Sequence, residues 1–251
     1  MYQEERMLAI LKHLEKNHRI SVQEICDMFQ VSRDTARRDL VKLSERNAII
    51  RTRGGAVLPV LEKKLDSYKK RLDLQTGIKE RIGRAAARLV KDYDCVIMNT
   101  STTVQFAAQA LEAEGLVAVT NSIDIADILS GKEGIRLHML GGIFHLHSRY
   151  IYGAETVRKL QEYRVHKCLM GGGGITEEGI FMQDEEDGEV VKQMIASSEQ
   201  VIVLADHTKL GKQYFYKVCG LDEVNVLVTD RLPSCWKDIL EKAEVEWVIA
   251  D

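Results

Sequence analysis

The 251-residue chain is poor in several features that usually narrow a protein's class. It has only two prolines, Pro59 and Pro233, so long helices and strands can run without a break. It has five cysteines (Cys26, Cys95, Cys168, Cys219 and Cys235) and no CxxC pair. An odd, unpatterned set of thiols argues against a disulfide framework and fits a reducing compartment, so a cytoplasmic location is expected. No run of 18 apolar residues occurs, so no transmembrane helix is expected. Residues 1–11 lack a basic stretch followed by an apolar block, so no signal peptide is expected either. There is no internal repeat and no low-complexity tract. Aromatic residues make up 6% of the chain, but the hydrophobic content of 45% is enough for a core. The length allows one large domain or two modest ones.

The net charge of −3 conceals an asymmetry. Residues 1–58 hold 11 Lys and Arg against 8 Asp and Glu, a net of +3. The other 193 residues hold 24 against 30, a net of −6. A basic head on an acidic body confines any polyanion to the head.

Within the head, residues 21–57 carry the most information. Ser21 and Glu24 have capping-box spacing, which starts a short helix with Ile25, Met28 and Phe29 expected inward. Gln30-Val31 reads as a turn. Ser32 then caps a second helix, with Asp34 in its positive first turn. On that helix Ala36, Leu40 and Leu43 form an apolar stripe, while Thr35, Arg38, Lys42 and Arg46 recur on another face. Such a helix suits the major groove, where guanidinium groups fork onto guanine and cations neutralise phosphate. Arg51 and Arg53 precede Gly54-Gly55, which reads as a β-hairpin wing beside the DNA backbone. The expected DNA-contacting residues are Ser32, Arg33, Thr35, Arg37, Arg38, Lys42, Arg46, Arg51 and Arg53. A first helix over residues 3–17, carrying Met7, Ile10, Leu11 and Leu14, is expected behind this pair.

Residues 59–76 are charged and sparsely apolar, and are expected to connect two domains. From residue 77 helices and strands alternate. Helices are expected at 79–90, 103–113, 123–129, 155–163, 186–198 and 235–242. Strands are expected at 95–99, 117–120, 137–140, 167–171, 201–205, 224–229 and 245–249. Strands apolar throughout point to a mostly parallel sheet covered on both faces. Ligands in such sheets sit beyond the carboxyl ends of the strands. Four sets of residues occupy those positions: Asn99-Thr100-Ser101-Thr102-Thr103, Asn121-Ser122, Gly141-Gly142 and Gly172-Gly173. Asp206 and Lys209 follow another strand, while Asp184 opens an acidic stretch ahead of a helix bearing Lys192. Hydroxyls and free N–H groups at a helix start suit phosphate. A carboxylate suits a sugar hydroxyl and an ammonium suits phosphate. The expected ligand is a small phosphorylated, hydroxyl-rich metabolite.

Both halves resemble one family. The segment VSRDTARRDLVKLSERNAIIRTRGGAV, through Arg37-Arg38-Asp39-Leu40, Leu43 and Gly54-Gly55-Ala56, resembles the N-terminal signature of the DeoR family of bacterial transcriptional regulators. Asn99-Thr100-Ser101-Thr102-Thr103 is similar to that family's Asp-Ser-Gly-Thr-Thr motif. Val119-Thr120-Asn121-Ser122, Leu140-Gly141-Gly142 and the run from Val203 to Lys209 match further family segments. The resemblance implies a winged helix-turn-helix at 1–58, a connection at 59–76 and an α/β sensor at 77–251. That sensor would be similar to ribose-5-phosphate isomerase and would bind a sugar phosphate as effector. Asn99 stands where the family has Asp, Ser101 where it has Gly, and Gly172-Gly173-Gly174-Ile175 where it has Ala-Asn-Gly-Ile.

The expected function is transcriptional regulation, as a repressor of a sugar-metabolism operon. Expected partners are operator DNA, a phosphorylated sugar and further copies of the chain as a homodimer or homotetramer. No cofactor and no catalytic role are expected. The competing function is an aldose–ketose isomerase using Asp184 or Glu185 with Lys209. A ligand-free scaffold is a third possibility. His145 and His147 could share a metal, but no third ligand stands near them in sequence, and none is expected. Trp236 and Trp247 are expected in the core.

Overall fold

A computed structural model describes residues 2–17, 19–46, 48–52, 54–57, 60–61 and 66–251. They fall into two compact units, Met1–Val60 and Leu61–Asp251.

The first unit runs α1 (Gln3–Asn17), β1 (Arg19–Ser21), α2 (Val22–Phe29), α3 (Arg33–Glu45), β2 (Ile50–Thr52) and β3 (Gly55–Val57). The capping box forms: Ser21 Oγ accepts from the Glu24 amide at 3.1 Å, and Glu24 accepts from the Ser21 amide at 2.7 Å. Gln30, left-handed at φ 52°, ends α2. Ser32 Oγ accepts from the Thr35 amide at 3.2 Å and starts α3. Met7, Ile10 and Leu14 of α1 close over Ile25 of α2 and over Ala36, Leu40 and Leu43 of α3.

Two expectations for this unit need correcting. Met28 is exposed rather than inward. The stripe that packs on α2 is Val22, Ile25, Cys26 and Phe29, and at 100° per residue Met28 falls about 110° from its centre. The hairpin is also one strand short of the real sheet, because β1 pairs antiparallel with β3 and places Ile20 opposite Ala56. Gly55 permits this. A Cβ there would lie 1.9 Å from the Ile20 carbonyl oxygen.

Asp39 is fully buried on α3. It accepts from Arg6 Nε at 2.5 Å and from Gln3 Nε2 at 2.8 Å, binding α1 to α3. The carboxylate raises the Arg6 pKa through that hydrogen bond, against the opposing effect of burial.

The second unit is built on a seven-stranded sheet. Across the sheet the order is Glu246–Ile249, Val226–Thr229, Ser198–Leu204, Val165–Met170, Cys95–Met98, Val117–Thr120 and Arg136–Met139, all parallel. Residues alternate between faces, as the pleat requires. Val96 and Met98 meet Ile82, Val104 and Ala107 from helices Thr76–Ala87 and Thr102–Ala110. Ile97, Cys168 and Met170 lie on the side of Leu160, Val190, Met194 and Trp236 from helices Ala154–Gln161, Glu185–Ala196 and Ser234–Lys242. Both faces are therefore covered, which is why these strands read as continuous apolar runs. All five cysteines are free thiols.

Counted along the chain, the sheet order is third, second, first, fourth, fifth, sixth, seventh. The direction of winding reverses between Cys95–Met98 and Val165–Met170, and connections leaving that pair diverge to open a crevice.

Helix boundaries shift by at most three residues from expectation. Thr76–Ala87, for example, begins after Gln75 in a left-handed conformation at φ 54°. Several short elements carried too little periodicity to be foreseen. They include the hairpin Ile143–His145 with Tyr150–Tyr152 and the antiparallel sheet Gly174–Thr176, Gly179–Met182, Tyr216–Cys219. Residues 59 and 62–65 of the expected connection lie outside the described residues. Its later part is a helix, Tyr68–Asp73, started by Ser67. Tyr68 is buried there and donates to Gln105 Oε1 at 2.6 Å.

Replacing Asp39 with Ala should destabilise the first unit by about 3 kcal/mol, because it strands a buried guanidinium. Urea unfolding checks this, and a loss below about 1 kcal/mol would show that the pair is not the lock between α1 and α3.

Candidate functional site

On α3 the apolar stripe is buried, while Arg37, Arg38, Lys42 and Arg46 are exposed. Thr35 is half-buried and shares a hydrogen bond with Ser32 Oγ. The four residues expected to act as one reading face divide into two sets. Lys42 Nζ donates to Gln3 Oε1 at 2.7 Å, and Arg46 forks onto both Glu4 oxygens at 2.8 and 2.9 Å. Hydrogen bonding from Arg46 holds the Glu4 carboxyl below the usual range. Among the described residues, Arg37 and Arg38 have no ion-pair partner. They line a shallow depression with Val41 and Lys42. On the other side of α3, Arg33, Arg37 and Arg51 line a groove of about 270 Å³ that runs to Gly54 and Gly55 of the hairpin. Arg33 is steadied there by Gln23 Oε1 at 2.9 Å. Arg53 lies outside the described residues. The arrangement is a convex helix flanked by guanidinium groups beside a hairpin, a shape that enters a major groove.

In the second unit a cavity of about 300 Å³ opens at the switch point. Six expected residues line it: Ser101, Thr102, Thr103, Gly172, Asp206 and Lys209. Ser101 stands at the start of helix Thr102–Ala110 without capping it, which leaves its hydroxyl available. Asp206 is buried and accepts from the Thr208 amide at 2.9 Å. Sequence reasoning missed Asp66, Arg71, Gln75, Lys79, Lys212 and Tyr214, which line it as well. Lys79 is buried and donates to the carbonyls of Arg71 and Leu74. Burial pushes its pKa down to about 8, with Asp206 opposing the shift. The one available signal was Ser67, a helix start that places Tyr68 and Arg71 on one side of what read as a charged linker.

A second, water-sized cavity of about 40 Å³ shares Arg71, Ser101 and Gly172 with the first and is also lined by Asn99, Thr100, Gly173, Asp184 and Asp187. Asn99 spans the switch point: its Nδ2 donates to the Gly171 carbonyl at 3.3 Å and its Oδ1 accepts from the Gly171 amide at 3.0 Å. An amide can make both bonds, whereas an ionised Asp can make only the second.

Four other expected positions are structural. Asn121 accepts from the amide and hydroxyl of Thr100 and donates to the Ile151 carbonyl at 3.1 Å. Ser122 caps helix Ile123–Ser130. Gly141 accepts from Thr156 Oγ1 at 2.8 Å. At Gly142 a Cβ would meet that same hydroxyl at 2.3 Å. Lys192 is also away from both cavities. It donates to the Tyr216 hydroxyl at 2.8 Å and lies 3.6 Å from Glu189. Five residues on from Asp187, it falls about 140° around the helix. The acidic stretch does not precede the helix but forms the first turn of Glu185–Ala196, with Asp184 as its N-cap. Glu185 and Glu186 are exposed there.

His145 accepts from the Ser148 amide at 3.1 Å and stacks on Tyr150. Among the described residues no cluster of three metal-ligating side chains occurs. No helix among them is long and apolar enough to cross a membrane.

A groove-reading helix with a wing, encoded in one chain with an open polar cavity, defines a ligand-responsive regulator of transcription. The family model described as DeoR-like helix-turn-helix domain matches residues 6–60, and that described as DeoR C terminal sensor domain matches residues 74–231. The chain therefore belongs to the DeoR family: it is a transcriptional repressor with an N-terminal helix-turn-helix and a C-terminal sensor, and not an enzyme. It is 50% identical to the HTH-type transcriptional repressor GlcR of Bacillus subtilis, over 100% of this chain and 98% of that one. It is 29% identical to the glycerol-3-phosphate regulon repressor of Escherichia coli, over 93% of each. Among solved structures, ribose 5-phosphate isomerase from Plasmodium falciparum aligns over 53% of this chain and 52% of its own, at 17% identity and a TM-score of 0.40. The isomerase alternative falls with the family assignment, and Glu185, one of its proposed bases, lines neither cavity.

Replacing Arg38 with Ala should weaken operator binding roughly 10- to 100-fold, the effect of losing a forked base contact. Arg46→Ala should cost only a few-fold, because Glu4 already engages that guanidinium. Gel shifts at fixed salt test both, and equal losses would contradict the division of the face.

Burial raises the Asp187 carboxyl from 3.8 to about 7, and Arg71 only partly offsets this while Asp184 adds to it. The folded state therefore holds a proton that the unfolded state releases at lower pH. Stability is gained below pH 4 and lost as pH rises to about 7. Melting temperature should fall across that window, and Asp187→Asn should flatten the fall in differential scanning calorimetry.

Proposed function

We propose that the chain represses a sugar-metabolism operon and is controlled by a phosphorylated sugar bound in the 300 Å³ cavity. The observation that carries this reading is the cavity's chemistry. Arg71, Lys79, Lys209 and Lys212 supply cations around the free start of helix Thr102–Ala110, where Ser101, Thr102 and Thr103 add hydroxyls, and Asp206 lines the same cavity. Cations with helix N–H groups suit a phosphate. Carboxylate and hydroxyl groups suit a polyol. The name of the Escherichia coli relative, a glycerol-3-phosphate regulon repressor, is in keeping with this.

In this reading residues 1–58 hold the operator through Ser32, Arg33, Thr35, Arg37, Arg38, Lys42, Arg51 and Arg53. Residues 77–251 hold the effector. The intervening segment 59–76 includes Arg71 and Gln75, which belong to the cavity wall, so occupancy of the cavity acts on the stretch of chain that follows the DNA-reading unit. The effector shifts DNA affinity only by its difference in affinity for the two states. Reading repeated half-sites calls for a homodimer or homotetramer, working in the cytoplasm.

The test is a melting screen with phosphorylated sugars followed by gel shift with the hit. A ligand at 100 times its dissociation constant should raise the melting temperature by roughly 5–10 °C. Thr102→Glu, which sets a carboxylate in the anion cradle, should keep operator binding and abolish the ligand response. No shift with any phosphorylated sugar would reject the reading.

A further inference from the structure

Among the described residues, Asp187 holds the one buried side-chain oxygen that the protein leaves without a hydrogen-bond partner, its Oδ1. A buried acceptor left unmet costs stability. Oδ1 gains no hydrogen bond from its place in the first turn of helix Glu185–Ala196, although a carboxylate there suits the dipole of that helix. The apolar contacts of the helix come from Val190, Val191, Met194 and Ile195.

The carboxylate lines the 40 Å³ cavity. That cavity holds about one hydroxyl or one water, whose share of liquid volume is about 30 Å³. It has Arg71, Ser101 and Gly172 in common with the larger cavity, so a ligand anchored in the larger one can extend an atom into the smaller. Charge decides which atom. Arg71 lies beside Asp187 and disfavours a second cation. Asp184, on the same wall, disfavours an anion. A neutral donor remains.

We infer that the small cavity is a hydroxyl subsite, in which Asp187 Oδ1 accepts from a sugar hydroxyl remote from the phosphate. This rests on the proposed sugar-phosphate reading and extends it: the effector is a phosphate ester long enough to span both cavities, with a free hydroxyl at the far end. The missing partner of Asp187 is then the ligand, and the unliganded protein tolerates the strain because binding relieves it.

The experiment compares the full chain with Asp187→Ala and Asp187→Asn by calorimetric titration at pH 8, where the Asp187 carboxyl is ionised, against glucose, fructose and mannose 6-phosphates, and against inorganic phosphate as the truncated probe. The best hexose phosphate should bind Asp187→Ala about tenfold or more weakly, the loss expected for a hydrogen bond to a charged group. Asp187→Asn, which keeps an uncharged acceptor, should fall between Ala and wild type. Inorganic phosphate should bind all three alike, and the ligand-free variants should melt at or above the wild-type temperature at pH 8. Unchanged hexose phosphate affinity in Asp187→Ala overturns the inference. So does a parallel loss of melting temperature and of both affinities, which would mark Asp187 as structural. Wild-type protein that binds none of the three hexose phosphates would overturn this subsite, and the proposed function falls with it only if no other phosphorylated sugar binds, whereas the other two failures leave that function standing.

Discussion

Most of the second unit's chemistry follows from one constraint, the reversal of winding between strands Cys95–Met98 and Val165–Met170. Connections diverge there, so the carboxyl ends of two central strands are left uncovered. The chain fills the gap with a helix start on one side and a glycine run on the other. Gly171 has to be small, since a Cβ would lie 2.1 Å from Ser101 Oγ. Asn99 then fixes the separation of the two strand ends by bonding both polar groups of Gly171. With that spacing set, Ser101 is free to face a ligand rather than cap its own helix.

The same economy governs the first unit. Asp39 stands beside Arg37 and Arg38 in sequence, yet it faces the opposite way and is fully buried. By gripping Arg6 and Gln3 it holds α1 against α3. The start of α1 then meets the cationic face, where Gln3 and Glu4 engage Lys42 and Arg46. Exposed pairs of this kind contribute little to stability, and a phosphate can displace them. Arg37 and Arg38, one turn earlier, are left to make contacts of their own.

Much of this was legible beforehand where a pattern is local. The capping box at Ser21 and Glu24, the stripe of Ala36, Leu40 and Leu43, and the parallel strands with both faces apolar all repeat at the period of their own element. The cavity was legible in part, because residues just past apolar strands sit at a predictable end of a sheet. Ser101, Thr102, Thr103, Gly172, Asp206 and Lys209 came from that rule. Asn121, Ser122, Gly141 and Gly142 satisfied the rule as well, but their hydrogen bonds and contacts are spent within the protein. Lys192 missed the cavity through helical phase, which a short acidic run does not reveal.

By itself the sequence determined a basic reading head with a capped helix pair, an alternating α/β body, and which strand ends could meet a ligand. These depend on spacing along the chain, and spacing is fixed covalently. Only the tertiary structure decided that Arg71 and Lys79 wall the cavity, that Lys42 and Arg46 are already engaged, and that one oxygen of Asp187 is buried without a partner. Each of those depends on which distant segments approach within a few ångströms, and burial and pairing of charge are properties of that approach.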